Sequence, residues 1–332
     1  MPALWSSGVI LLPLLAGIVD FWVGDPWSWP HPVQFMGQAI HRYQRWLQPW
    51  NLSPQGQRLA GLVLGLGLPV VSGAIAVGLV TLARQLQPWL GTATAIVLLA
   101  SCLAARSLRR AAEDVLTPLT QGDITAARTQ LSLYVGRDTE QLSEAEILRA
   151  VMETVSENAT DGVMAPLFYM ILGTAIAPPL GVGLAMAYKA LSTLDSMVGY
   201  RSPPYRDLGW FSARSEDVAT WLPCRLTVGT IALLARRPRR VWTLCRRDAP
   251  ADPSPNAGWS ECAYAAALGI QLGGLNAYHG EVKAKPLLGD PNQPITVMTI
   301  QQGLELTRWA TLIWLFVGTS LLSIRYGLFT VG

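Results

Sequence analysis

The sequence predicts an all-α, polytopic helical integral membrane protein with cytoplasmic helical loops and segments that read as broken or re-entrant. Three features predict it. Hydrophobic residues make up 51% of the 332 residues and charged residues only 14%, against about 25% charged in a typical soluble domain. Several apolar runs approach the roughly 20 residues that a bilayer core requires. Thirteen tryptophans suit interfacial belts, where an amphipathic ring sits at headgroup level. The net charge of +3 is small, and no basic stripe is interleaved with stacking aromatics, which argues against a nucleic-acid partner.

The first apolar run spans residues 3–23. It has no basic leader and no evident cleavage site, so it reads as a retained membrane helix and not a signal peptide. Asp20 sits near its inner end, where an acid is costly unless it reaches water or a partner. Pro26, Pro30 and Gly24 then bar a long helix up to about His31. His31, between two prolines, reads as a turn or interfacial residue. Residues 33–47 follow as an amphipathic interfacial helix edged by Trp and Arg. Residues 59–83 form a second span rich in Gly and Ala, which favours close helix packing. A third runs from about 91 to 105.

Charge placement orients these spans. Arg42, Arg45 and Arg58 lie between spans one and two, and Arg106, Arg109 and Arg110 follow span three, whereas the intervening loop carries only Arg84. The positive-inside rule then places the N-terminus outside and the Arg-rich regions in the cytoplasm. Residues 106–135 repeat apolar positions at helical spacing, and Gly136-Arg137-Asp138-Thr139 breaks the pattern. Ser143 opens the next helix, with Glu146 completing a capping box. That helix is expected to end near Asn158–Gly162.

The stretch 163–188 is apolar but interrupted at Pro178-Pro179 and Gly181, so it reads as a broken span or a re-entrant hairpin; such backbone is tolerated only inside protein or beside a wet cavity. Residues 218–235 are a weaker case, closed by the basic run Arg236-Arg237-Pro238-Arg239-Arg240. Residues 246–306 are polar, Gly- and Pro-rich, and expected to be cytoplasmic. A last span at 307–329 would leave both termini outside. No repeat or linker divides the chain, so 1–332 reads as a single membrane-embedded domain. Cys102, Cys224, Cys245 and Cys262 show neither zinc spacing nor a disulfide framework.

Glu153 and Glu157 are four residues apart and share one helix face with Glu146. Two such carboxylates repel unless a proton or cation sits between them. Mg²⁺ is a natural occupant, since it is held by one or two carboxylates with water and phosphate; a solvated acidic face is the plain reading of the same spacing. Asp161, Asp195, Asp217 and Asp248 are the acids available to complete such a site. Arg137, Lys189, Arg214, Arg225 and Arg247 are suited to bind phosphate or carboxylate. No GxxxxGK[ST] and no GxSxG is present, which excludes a P-loop and a nucleophile-elbow enzyme.

Longer motifs carry a resemblance. They are Gly24-Asp25-Pro26, His31-Pro32-Val33 and Met36-Gly37; LSLYVGRDT at 131–139; EILRAVMETVSENATDGVMAPLFY at 146–169; TLDSMVGY at 193–200; Arg225-Leu226-Thr227 after Pro223; and Arg247-Asp248-Ala249, SPNAGW at 254–259, Glu261-Cys262 and AAALGIQLGG at 265–274. Together, over about residues 16–290, the chain resembles the CobD/CbiB family, the adenosylcobinamide-phosphate synthases of cobalamin biosynthesis. Ser192, Glu216 and Asp252 depart from the Asn, Asp and His of the family pattern.

The resemblance implies an ATP-dependent ligase in the cell membrane. A propionate of adenosylcobyric acid, a corrinoid substrate, would be joined to aminopropanol phosphate or a related amino alcohol, releasing ADP and phosphate with Mg²⁺ as cofactor. It would place Glu153, Glu157 and Asp161, with Asp195 or Asp217, on Mg²⁺ and the phosphates. Arg137, Lys189 and Arg214 would neutralise phosphate, and Asp248 would accept a proton from the amine. Asp138, Asn158, Arg225, Arg247 and Asn256 are the further binding candidates. Lipid and other corrinoid-assembly enzymes are the expected partners. The rival reading is a non-catalytic membrane sensor of the AmpE type on the same scaffold.

Overall fold

The structure is a computed structural model and describes residues 9–25, 29–278 and 280–327. Thirteen helices and one hairpin are defined among these residues. They are α1 (Leu12–Trp22), α2 (Pro32–Leu47), α3 (Pro54–Leu86), α4 (Pro88–Ala100), α5 (Ala105–Thr120), α6 (Ile124–Ser132), α7 (Glu144–Asn158), α8 (Ala165–Ile176), α9 (Pro178–Val198), α10 (Trp210–Leu234), α11 (Pro238–Asp248), α12 (Ala257–Leu268), β1 (Leu272–Tyr278), β2 (Glu281–Leu288) and α13 (Val297–Gly327). Four stretches are long and apolar enough to cross a membrane: Pro54–Leu86, Pro88–Thr120, Glu144–Ile176 and Val297–Gly327.

The helix starts follow from local chemistry. Proline occupies the first turn of α1 to α4, α9 and α11, where a missing N–H costs nothing. His31 caps α2 by accepting from the Val33 N–H at 3.2 Å, and its Nε2 lies 3.2 Å from Asp25. That matches the turn role expected of it. Ser143 and Glu146 form the expected capping box on α7.

The described residues form two compact units. The first draws on Met1–Ala104, Ala165–Thr220 and Trp314–Gly332, and the second on Ala105–Met164 and Trp221–Ile313. In the first unit an apolar core includes Leu99, Leu167, Met170, Ala185 and Leu315, while Val63, Val70 and Ile75 stand exposed along α3. Such a face suits hydrocarbon and not water. α2 buries Met36 and Ile40 and exposes Phe35 and Trp46, as an interfacial helix should.

Several boundaries differ from the sequence reading. Residues 3–8 of the first expected span lie outside the described residues, and α1 itself has 11 residues, too few to cross. Residues 328–329 of the last expected span also lie outside them. The segment 163–188 is two helices, α8 and α9, that turn at Ala177. A Cβ on Gly173 would collide with the Leu180 backbone carbonyl, and one on Gly181 with Thr174; the glycines allow the helices to touch. Gly173→Ala is expected to cost about 1–3 kcal/mol through overpacking, read as a lower melting temperature in detergent; an unchanged melt would refute close contact there.

The acidic helix does not end at Asn158. It continues through a π-helical turn, Ala159–Met164, into α8. Its polar half and its apolar half are one 33-residue stretch. π turns recur at functional sites because they re-aim side chains within a helix. The second correction is the antiparallel hairpin β1–β2 within residues 246–306, where no strand was expected.

Candidate active site

In the second unit, the face of α7 that carries Glu153 is covered by the hairpin. The bulge between Leu272 and Gly274 makes this possible. Gly273 and Gly274 have φ of +86° and +101°, a region that only glycine enters freely. A side chain on Gly273 would also strike the Pro286 carbonyl. The bulge turns the Gly273 N–H onto Glu153 Oε1 at 2.9 Å and presents the Gly273 carbonyl to Arg149. Arg149 also donates to the Leu275 carbonyl at 2.9 Å. The Gly136–Thr139 loop clasps the other end: the Asp138 N–H donates to the Ala277 carbonyl and the Gly280 N–H to Asp138 Oδ2, at 2.9 and 2.8 Å.

Arg137 from that loop is the central cation. It donates to Glu153 Oε2 and, at 2.8 Å, to Asn276 Oδ1. Arg149 adds a second guanidinium 3.6 Å from Glu153 Oε1. Beside them, Lys285 from β2 donates to both oxygens of Glu261 on α12, at 2.7 and 2.8 Å. Ser260 fastens α12 to the widened turn: it donates to the Ser156 carbonyl at 2.6 Å and meets the Thr160 hydroxyl at 2.7 Å. Glu157, one turn past Glu153, makes no hydrogen bond or ion pair among the described residues. It stands within electrostatic range of Lys285, Asp252, Glu153 and Arg137.

The layering of this cluster is informative. Glu261 is 0% and Glu153 2% exposed, whereas Arg137, Arg149 and Lys285 are 8%, 13% and 23% exposed. The anions form the floor and the cations the outer edge. Burial pushes the Glu261 carboxyl well above its usual range, against the pull of the Lys285 charge. Burial would lower Lys285, but Glu261, Glu153 and Glu157 overrule it and hold the ammonium above the usual lysine value.

The expected three-carboxylate Mg²⁺ set does not fit this arrangement. Both oxygens of Glu153 are already engaged, by Arg137 and by the Gly273 N–H. Among the described residues no group of three or more His, Cys, Asp or Glu side chains is placed to hold a metal ion. Asp161 lies in the π turn and Asn158 is exposed, spending its amide on the Thr154 carbonyl.

The remaining candidates fall in three places. Asp248 is a clasp: Arg247 holds it at 2.6 Å and the Gly289 N–H donates to it at 2.9 Å. Those Arg247 hydrogen bonds keep its carboxyl below the usual range, which makes it a poor proton acceptor; Arg247 also reaches Asp290 at 2.8 Å. Arg225 binds Asn256 Oδ1 at 2.5 Å and the Pro255 carbonyl at 3.1 Å. Its guanidinium lies 4.9 Å from the Trp259 ring centroid and 5.2 Å from that of Trp221.

Lys189, Asp195, Arg214 and Asp217 belong to the first unit. Asp217 is raised by burial, with Arg201 and Arg214 opposing, and Arg214 lies 5.1 Å from the Trp210 ring centroid. Glu216 stands within electrostatic range of Asp195 and Asp217. It is buried, accepts from Tyr188 at 3.3 Å and from Thr220, and Tyr188 stacks on Tyr169 at 5.1 Å. Burial pushes Glu216 up to about 7, with the Asp195 and Asp217 charges adding and the hydroxyl donors opposing.

A group with a raised folded-state pKa contributes stability that is complete below its unfolded value, 4.5 for glutamate, and is lost as pH rises through its folded value. The wild type is therefore expected to lose roughly 3 kcal/mol between those limits. Glu216→Gln should flatten that slope in a melting series from pH 5 to pH 8. Parallel slopes for the two proteins would refute it.

Lys285, Asn276 and Arg149 are not singled out by the sequence, whereas Glu261 stands within one of the motifs that carry the resemblance. Lys285 and Asn276 lie on the unpredicted hairpin. The one local signal for it was the glycine pair at 273–274 with a further glycine at 280, bracketing a short run.

Four apolar helical stretches define a helical membrane protein, and its second unit carries a buried cluster of acidic and basic side chains. The comparisons narrow this. The chain belongs to the CobD/CbiB family: the family model described as CobD/Cbib protein matches residues 13–307. Cobalamin biosynthesis protein CobD of Synechocystis sp. is 51% identical over 326 residues, covering 96% of this chain and 95% of the relative. Cobalamin biosynthesis protein CbiB of Salmonella typhi is 44% identical over 303 residues, covering 90% and 92%. CobD of Citrobacter koseri is 42% identical over 301 residues, with the same coverage. No solved structure matches the chain.

Proposed function

We propose that this protein acts in cobalamin biosynthesis as an ATP-dependent amide ligase, joining the carboxylate of adenosylcobyric acid to aminopropanol phosphate or a related amino alcohol. The observation that carries the reading is the layered cluster in which Glu153 and Glu261 lie beneath Arg137, Arg149 and Lys285. The family names of the relatives support the pathway.

A carboxylate is a poor acyl donor. In the proposed reaction its oxygen attacks the γ-phosphorus of ATP, giving an acyl phosphate and ADP. The amine nitrogen then attacks the acyl carbon, and inorganic phosphate leaves. Both steps concentrate negative charge on phosphoryl oxygens, and positioned cations lower such barriers. Arg137 and Lys285 are assigned that role, and Arg225 and Arg247 of the same unit are further phosphate-binding candidates. The amine must shed a proton before it attacks. Glu157 is assigned to receive it, because its carboxylate is not engaged by a neighbour. Mg²⁺, carried on the nucleotide's phosphates, would supply further neutralisation of their charge. The site is assigned to the cytoplasmic face of the cell membrane.

The test supplies purified protein in detergent with adenosylcobyric acid, aminopropanol phosphate, ATP and Mg²⁺. The corrinoid product is followed by mass and ADP by coupled assay. An amide product with matching ADP release is expected. Neither product nor ATP consumption would overturn the ligase reading.

A further inference from the structure

Asn276 stands out within the cluster. It is 3% exposed. Its orientation is set from one side, because Oδ1 accepts from Arg137 at 2.8 Å; a flipped amide would turn two donors onto a guanidinium that can only donate. The two N–H bonds on Nδ2 therefore face the other way, and Nδ2 has no hydrogen-bond partner among the described residues. A buried donor left unmade is costly. Natural proteins keep such groups where something else completes them.

The surroundings specify what that is. Arg137 uses NH1 and NH2 on Asn276 and Glu153, leaving further donors on the same guanidinium. Lys285 and Arg149 form the outer edge of the cluster, and the carboxylates of Glu153 and Glu261 lie deeper. An amide N–H pair beside guanidinium and ammonium groups selects an oxygen acceptor, and the outward-facing positive charge favours an anionic one.

We propose that Asn276 is a ligand-binding residue whose Nδ2–H donates to a phosphoryl or carboxylate oxygen held between Arg137 and Lys285. This rests on the ligase reading only for the identity of the ligand, since nucleotide phosphate, amino-alcohol phosphate and corrinoid carboxylate share this chemistry. Asn276 also prevents Arg137 from swinging away from Glu153, so one side chain sets the cation and contacts the anion.

Asn276→Asp tests it. The aspartate keeps an oxygen for Arg137 and nearly the same volume, but removes both N–H donors and adds a negative charge. Wild type and variant, full-length in detergent, are titrated separately with ATP, aminopropanol phosphate, adenosylcobyric acid and inorganic phosphate, and their melting is recorded. Asn276→Asp is expected to melt as a folded protein and to bind one of the organic probes roughly 10- to 100-fold more weakly, raising that substrate's KM more than it lowers kcat. The affected probe identifies the source of the oxygen. Asn276→Ser, which keeps a hydroxyl acceptor for Arg137, should show the same loss for the same probe.

Wild-type affinity for every probe in either variant overturns the proposal, as does loss of the folded state in both. A wild type that makes no amide yet binds one probe in an Asn276-dependent way would sink the ligase reading and leave this one standing.

Discussion

Glu153→Gln is expected to destabilise the protein by about 3–5 kcal/mol, the cost of removing one partner from a buried ion pair. Glu153 is 2% exposed and faces two guanidiniums, Arg137 and Arg149. A glutamine can still accept the Gly273 N–H, but it leaves the buried positive charges facing a neutral amide. The bulge that Glu153 anchors should loosen, and Asn276 and Lys285 lie on that same hairpin. Thermal melting in detergent and limited proteolysis at residues 272–288 check this. A variant as stable as the wild type, with the hairpin equally protected, would show that the pair is not structural. Loss of turnover in a fully stable variant would instead return Glu153 to a direct role in chemistry.

Lys285→Met is expected to be nearly as damaging. It leaves Glu261, which has no exposed side-chain surface, as a carboxylate in a dry interior with no ammonium. A group so placed takes up a proton in preference to remaining charged. Burial already pushes Glu261 upward in the presence of Lys285, and removing the ammonium pushes it further. A raised folded-state pKa means stability that is complete at low pH and lost as pH rises. Lys285→Met should therefore be most deficient at alkaline pH, and its deficit relative to wild type should narrow on acidification. Lys285→Met combined with Glu261→Gln should recover much of the stability, because a buried pair replaced by neutral groups is often tolerated. Activity would not return if Lys285 faces phosphate. Equal deficits at pH 5 and pH 9, or a double variant worse than the single, would refute this account.

The contrast between α7 and the hairpin shows what a sequence reveals. Ser143, Glu146, Glu153 and Glu157 could be placed on one helix from spacing alone, and the capping box formed as expected. The end of that helix was misjudged because Asn158, Asp161 and Gly162 resemble a stop signal. In the structure a π turn absorbs them and the helix continues to Ile176. The hairpin was missed because Lys285, Pro286 and two adjacent glycines are poor strand formers. Its strands are held by tertiary clasps, such as Asp138 on Ala277 and Gly280. Asp248 was chosen for its charge, and its Arg247 and Gly289 partners explain that charge structurally.

By itself the sequence determined the class of protein, most of its helices, the capping box and acidic face of α7, and the family. Those depend on composition, on a period of 3.6 residues, and on motifs read along the chain. Only the tertiary structure decided what the acids do. Glu153 meets a backbone amide 120 residues away, and Arg137 an amide side chain 139 residues away. Whether a carboxylate binds a metal, a proton or a guanidinium depends on which groups share its low-dielectric surroundings. Folding alone brings those groups together.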